Sequence, residues 1–336
     1  MVISAIKHVI SEIWPMHVTI LVIDQCSAAS AAVAWEVFAL ANHFSGREHP
    51  IFDVCMASLK GRNVDAYGGQ QIKVEKSLDE IQCTDLVVIP GFLLTLKDVI
   101  PEFKKYGNWL RSQHAQGAEI ATMCTATFVL AENSMLDFIR VTTHWAFAGL
   151  LSSRHPKVIV NADQILSEDN RYITSAGSTA TLDMMLYIIR KFAGFKLAHT
   201  CSRYLLIDSA RTEQTCYVLW SMPKGHGDLK ILEVQTWLEG NLGAQLVVND
   251  VAEMFGFGVR NFKRRFSEAT GYTPINYIQT LRLERAKILL ETTNQAFDSI
   301  TKQVGYSDSN SFRQLFSKRV GIPPAAYRKK FKGVLA

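Results

Sequence analysis

Three groups of residues carry reactive or recognition chemistry at informative spacing. Cys124 stands in AEIATMCTATFVLAEN (118–133), where an apolar run ends and a helical pattern begins, and His144 follows twenty residues later in VTTHWA. A thiol at a helix start meets the positive end of the helix dipole, which favours thiolate, and a histidine beside it would complete a nucleophile–base pair. That thiol has three readings: a catalytic nucleophile, part of a pocket wall for a small molecule, or a packed, inert core residue. His144 divides between pocket wall and hydrogen-bonded core residue. The other two groups are basic and polar: Arg260, Lys263, Arg264 and Arg265 in one segment, and Ser309, Asn310, Arg313, Gln314 and Lys318 in another. Cationic and amide side chains on a helix surface suit the phosphates and base edges of a DNA major groove.

The elements that must carry the basic groups form an internal repeat, VAEMFGFGVRNFKRRFSEATGYTPINY (251–277) and ITKQVGYSDSNSFRQLFSKRVGIPPAAY (300–327). The offset is 49–50 residues, with Gly256/Gly305, Phe262/Phe312, Phe266/Phe316, Gly271/Gly321, Pro274/Pro324 and Tyr277/Tyr327 in register. Each copy reads as a helix-turn-helix. Asp250 and Glu253 have the spacing of a capping box that opens the first helix, and Gly256 marks its end, where positive φ is needed. Phe262 and Phe266, one turn apart, face a core and leave the basic residues outward. Ile275–Glu291 reads as one linking helix with Ile278, Leu281, Ala286 and Leu289 inward. Such a rod is roughly 25 Å long, suited to holding two recognition helices about 34 Å, one DNA turn, apart.

Upstream, short β-type runs alternate with helical patterns: strands at 17–23, 52–58, 84–90, 118–124 and 171–177, and helices at Ala28–Ala41, Glu102–His114 and Thr179–Phe192. That alternation implies a parallel sheet covered by helices on both faces. Val2–Trp14 is expected as a short helical extension rather than a signal peptide. SMPKGHGD (221–228) has the composition of a linker. The expected division is therefore an extension at 1–15, an α/β domain at 16–200, a connecting segment at 201–227 and an all-α domain at 228–332.

Charge follows this division. From Asp228 onward there are 16 Lys/Arg against 10 Asp/Glu, whereas the preceding residues carry 20 against 21. The basic excess thus lies where a polyanionic partner is expected. No apolar run reaches the roughly 18–20 residues of a membrane span, so a cytoplasmic protein is expected. The six scattered cysteines form neither a CxxC pair nor a zinc pattern, which fits reduced thiols. No metal or cofactor site is expected.

The segment Asn249–Phe331 closely resembles the AraC-type DNA-binding domain, notably in LRLERAKILLETT and VGYSDSNSFRQLFSKRVGIPPAAYRKKF. The resemblance implies base contacts from Arg260, Lys263 and Arg264 in the first unit and from Ser309, Asn310, Arg313 and Gln314 in the second. The upstream region resembles the PfpI/class I glutamine-amidotransferase-like superfamily, with Cys124 at the elbow and His144 at the family's histidine. PGF (90–92) and TSAG (174–177) fit the branch, the GlxA-like regulators, in which this domain precedes an AraC-type domain. The implied fold is a flavodoxin-like parallel α/β domain joined to an all-α domain with two helix-turn-helix units. The implied function is transcription regulation, as of an activator, on double-stranded DNA under a small nitrogenous effector such as a betaine, carnitine or amino acid. A homodimer, with RNA polymerase as a further partner, is also implied.

Ser30, Cys124, Thr125, His144 and Trp145 are the expected effector-pocket residues. Asp183 either faces the pocket or serves as a structural cap partner. Two departures argue against catalysis. Ser30 stands where enzymes of the superfamily carry glutamate, with Glu36 further along the same helix, and Ala126 replaces the glycine of a Cys-Thr-Gly elbow, where an added Cβ is expected to disturb the turn. The alternative is a cysteine-dependent hydrolase or amidase using Cys124 and His144.

Overall fold

The computed structural model describes residues 15–92, 94–207 and 211–332. The expected extension at Val2–Trp14 lies outside them. The chain divides into two compact units, one ending at Gln214 and the other starting at Thr215.

The first unit follows β1 (Met16–Leu21), α1 (Ala28–Phe44), β2 (Phe52–Ser58), β3 (Val64–Asp65), β4 (Gln71–Ile72), β5 (Lys76–Ser77), β6 (Leu86–Ile89), α2 (Leu96–Val99), α3 (Gly107–Ala115), β7 (Glu119–Met123) and α4 (Thr127–Ala131). It continues through β8 (Arg140–Val141), α5 (Trp145–Arg154), β9 (Ile159–Val160), β10 (Leu166–Asp169), β11 (Tyr172–Ser175), α6 (Ala180–Ala193) and α7 (Phe195–Tyr204). Seven strands form one sheet in the order β10-β11-β7-β6-β1-β2-β5. Every pairing in it is parallel except that of β10 with β11. The β6 residues Leu86 to Ile89 are fully buried, as expected for a strand covered on both faces.

The five expected strands all form; β2 matches its bounds, β6, β7 and β11 are trimmed by a residue or two at each end, and β1 starts one residue earlier and ends two earlier. The expected helix Glu102–His114 is instead a 3-10 segment, Ile100–Tyr106, followed by α3. Pro101 opens that segment and supplies no amide for a longer helical ladder. Helix α7 packs on α6 and α1, and buries Cys201 in the first core. The expected connection at 201–227 is therefore shared out: Leu205 and Ile207 pack on the first core, while Cys216 and Trp220 join cores of the second unit.

The second unit is helical: α8 (Leu229–Gly240), α9 (Val248–Met254), α10 (Val259–Thr270), α11 (Pro274–Thr292), α12 (Phe297–Gln303), α13 (Ser309–Val320) and α14 (Pro324–Phe331). Asp250 lies within the first turn of α9, whose N-cap is Val247 without a side-chain cap, so the expected capping box does not form. The carboxylate instead interacts favourably with the helix dipole from inside the first turn. Among the described residues no helix is long and apolar enough to cross a membrane.

Candidate nucleic-acid interface and effector site

Each repeat copy builds a helix pair around buried aromatic rings. In the first, Phe262 and Phe266 of α10 are fully buried, with ring centroids 5.5 Å apart, and Phe266 meets Tyr277 edge-on at 5.1 Å. The Tyr277 hydroxyl accepts a hydrogen bond from Gln235 Nε2 at 2.9 Å, which satisfies the one polar atom this ring brings inside. In the second, Phe312 stacks on Phe297 and Tyr306, and Phe316 meets Tyr327 edge-on. Gly256 and Gly305 have φ of +69° and +87° at the turns, and Gly271 and Gly321 close α10 and α13 in the left-handed conformation.

With the aromatic faces turned inward, Arg260, Lys263 and Arg264 are exposed on α10. On α13, Asn310, Arg313 and Gln314 are exposed and Ser309 is half-buried. Arg264 is held by both Glu268 carboxylate oxygens, at 2.9 and 2.8 Å, and by Asn261 Oδ1. Arg313 lies 3.6 Å from Asp298, over the Phe297 ring. Surface pairs of this kind are worth a few tenths of a kcal/mol, so either guanidinium can leave its carboxylate at little cost.

Arg265 departs from the outward role expected of it. Its guanidinium binds the Asp228 carboxylate at 2.6 and 2.8 Å, and this pairing holds Asp228 below the usual carboxylate range. Asp228 also caps α8, so Arg265 fastens α10 to the preceding helix. The N-termini of the two recognition helices differ as well. Gly258 leaves the first amides of α10 without a side-chain cap, whereas Asp308 accepts from the amides of Asn310 and Ser311 on α13.

At the carboxyl ends of the parallel strands, Cys124 follows β7 with φ of +56°. A 3-10 turn, Cys124–Ala126, and the five-residue α4 come next. Gly91 abuts this elbow: a Cβ there would lie 2.8 Å from the Met123 carbonyl oxygen and 2.9 Å from Cys124 Cβ. Burial opposes the thiolate that the helix start was expected to favour. Burial pushes the Cys124 thiol up to about 11, outweighing the opposing hydrogen bonds from Thr125. Ala126 has φ of −63°, so its Cβ imposes no left-handed strain, contrary to the disturbance expected from the missing glycine.

The Cys124 carbonyl accepts from the Thr143 hydroxyl at 2.8 Å, which ties the elbow to the residue preceding His144. His144 Nδ1 accepts from the Ala146 amide as the N-cap of α5, and burial alone lowers its pKa. Its other edge faces Gly177, where a Cβ would come within 2.9 Å of Cδ2. Trp145 lies against His144 with centroids 5.2 Å apart. Among the described residues no hydrogen bond joins Cys124 to His144. Thr125 is consumed internally, accepting from the Phe92 amide at 2.9 Å and donating to the Phe92 carbonyl. Ser30 is buried on the first turn of α1, its amide bonded to Ser27 Oγ.

Two residues with a claim on this end of the sheet escaped sequence reasoning. Ser175, at the end of β11 beside Met123, and Thr181, on the first turn of α6, bury hydroxyls that have no hydrogen-bond partner among the described residues. The run TSAGSTAT, small and hydroxylic around an apolar helix, was the available signal. Asp183 is in an ion pair with Arg211 and lines a cavity of about 420 Å³ between α6, α7 and the β10 edge, which neither Cys124 nor His144 lines. Among the described residues no group of three or more His, Cys, Asp or Glu is arranged to hold a metal ion.

A buried thiol with no base hydrogen-bonded to it among the described residues is a slow nucleophile. Iodoacetamide at pH 7.5 should therefore modify exposed Cys83 at least about tenfold faster than Cys124, and the Cys124 rate should climb with pH toward 11. Peptide mass spectrometry over a pH series reads both rates. Cys124 labelling as fast as Cys83 at neutral pH would contradict this description.

Comparison with known proteins agrees with both units. Residues 16–191 match the DJ-1/PfpI family and residues 251–330 match a helix-turn-helix domain. The HTH-type transcriptional regulator GbdR of Pseudomonas aeruginosa is 28% identical over 316 residues, covering 94% of this chain and 84% of its own. The HTH-type transcriptional regulator CdhR of the same species is 26% identical, covering 81% and 80%. Among solved structures, an AraC family transcriptional regulator from Pseudomonas putida aligns with a TM-score of 0.50 at 25% identity, covering 57% of this chain and all of that one. Drosophila melanogaster DJ-1beta aligns at 0.51 and 23%, covering 58% of this chain and all of its own, a likeness of fold.

Proposed function

The chain belongs to the DJ-1/PfpI family, with an AraC-type helix-turn-helix domain in the same polypeptide, and we propose that it is a transcription regulator that reads double-stranded DNA under the control of a small nitrogenous metabolite. The observation that carries the DNA half is the duplicated recognition helix. Each copy buries two phenylalanines and turns its cationic and amide side chains to solvent, Arg260, Lys263 and Arg264 in one, Asn310, Arg313 and Gln314 in the other. The two units are suited to successive major grooves on one face of the duplex.

The effector site in this reading is the carboxyl end of the parallel sheet, the usual ligand position of open α/β folds. Cys124, His144, Trp145 and Ser30 contribute its wall, the unpartnered hydroxyls of Ser175 and Thr181 offer polar contacts, and the Trp145 face suits a cationic nitrogen. Thr125 supports the elbow instead of touching ligand. The protein acts as a homodimer in the cytoplasm, beside RNA polymerase, with no catalytic turnover. Burial of the thiol, which raises its pKa, and the absence among the described residues of a hydrogen bond from Cys124 to His144 weigh against the hydrolase alternative.

A thermal-shift panel of betaines, carnitine, amino acids and small amines tests the ligand half. A ligand at 100 times its Kd stabilises the native protein by about 2.7 kcal/mol. At least one compound should raise the melting temperature of the wild type, with the shift lost in Trp145→Ala and Ser175→Val. No shift across the panel, or a shift retained in both variants, would remove this site from the account.

A further inference from the structure

We infer that Arg282 is the positioning residue that fixes the angle and spacing between the two recognition helices. This rests on the reading of α10 and α13 as the DNA-reading helices. The linking helix α11 serves two separate cores: Tyr277, Ile278 and Leu281 pack in the first, and Leu283, Ala286, Leu289 and Leu290 in the second. Arg282 stands at the changeover between Leu281 and Leu283 and is itself only 9% exposed. No carboxylate pairs with it among the described residues. Its Nε donates to the Leu242 carbonyl at 3.3 Å, its Nη2 donates to the Ala244 carbonyl at 2.7 Å, and its guanidinium lies over the Tyr306 ring at 5.1 Å.

Leu242–Ala244 belongs to the loop entering the first helix-turn-helix, and Tyr306 to the turn of the second. One rigid fork on the shared helix thus holds a loop of one unit and the turn of the other. The two backbones also meet directly. A Cβ at Gly305 would collide with the Leu242 carbonyl oxygen and lie 2.5 Å from Arg282 Nη2, and one at Gly243 would lie 3.1 Å from the Gln303 carbonyl oxygen. At the matching turn of the first unit, the nearest atom to a Cβ on Gly256 is Lys230 Nζ at 3.8 Å. The close approach therefore belongs to the junction and not to the repeat. An apolar side chain would fill the same volume without burying a cation, so the fork contributes direction beyond packing.

The test uses the full chain and the bipartite duplex it enriches from a random-sequence library, with the spacer lengthened by one, two and three base pairs. Each insertion turns one half-site by about 35° and moves it about 3.4 Å. The wild type should lose roughly tenfold or more in affinity on two inserted pairs, on the order of one misplaced base contact or greater. Arg282→Met and Arg282→Lys should each bind the original duplex less tightly, yet lose less than about threefold on the same insertion, because the two units have gained freedom of angle. The affinity ratio within one protein sample cancels any change in folded fraction, so a role in stability alone would leave it unmoved. Retention of the full spacing penalty in both variants overturns the inference and leaves DNA reading intact. A wild type that enriches no spaced pair of half-sites overturns both.

Discussion

Alanine at both Arg260 and Arg264 should weaken binding of the selected duplex on the order of a hundredfold or more, with folding unchanged. Each arginine that reads a base edge is worth about 1–3 kcal/mol, and both side chains are exposed on α10. The opposing effect is small. Arg264 gives up its pairing with Glu268, an exposed i,i+4 contact worth about 0.3–0.5 kcal/mol. Base-reading residues should also relax sequence preference at one or two positions, whereas a residue confined to phosphate contact weakens all sequences alike and reduces the salt slope by about one. Fluorescence anisotropy on matched and mismatched duplexes at two salt concentrations separates these. Arg265→Ala serves as the contrast, since its guanidinium is committed to Asp228 and its loss should lower the stability of the helical unit first.

The second large effect is on folding. Phe266→Ala should destabilise the helical unit by about 3–5 kcal/mol, the usual range for removing a buried phenylalanine. Phe266 is fully buried and meets both Phe262 and Tyr277, so the cavity would open where α10 and α11 join. For a domain whose whole stability is about 5–15 kcal/mol, that loss is a large fraction. At about 4–8 °C per kcal/mol for a domain of this size, the melting transition should fall by at least about 12 °C. Calorimetry of the full chain measures it, and a fall of under about 4 °C would show that the ring is not the anchor described here. Duplex binding should weaken with the same variant above its lowered transition.

The repeat was legible because its glycines, prolines and aromatics mark turns and core positions locally: Gly256, Gly271, Phe262 and Tyr277 sit where their spacing implies. The buried strands were legible for a similar reason, since TDLVVIP and FDVCMAS are apolar runs bounded by turn residues. What was not legible depends on partners distant in sequence. The polar segment LSED becomes β10 because it pairs antiparallel with β11, and Glu168 there binds Lys191. Arg265 falls on an outward helical position, and only its approach to Asp228, 37 residues earlier, recruits it into the fold. The capping pattern at Asp250 failed because helix entry is set at Val247, one turn upstream.

At Cys124 burial, which depends on tertiary packing, was the effect hidden from the sequence. A strand end followed by a helix was visible, and so was the dipole argument for a thiolate. The extent of burial was not, nor was the shortness of α4, and burial raises the thiol pKa against the hydrogen bonds from Thr125. The elbow conformation itself persists, with Gly91 allowing the close approach and Thr143 tying it to the histidine segment. Arg282 was hidden within a motif recognised for its apolar spacing, and its contacts to Leu242, Ala244 and Tyr306 required the tertiary structure.

Two coupled helix-turn-helix units on one linking helix should act on DNA as a single reader of paired half-sites. Selection of duplexes from a random-sequence library by the full chain, at about 0.15 M salt, tests it most directly. The expected result is enrichment of a motif with two half-sites about one helical turn apart, lost in the Arg260→Ala/Arg264→Ala double variant. Recovery of unenriched sequence, with affinity that depends on salt alone, would contradict it.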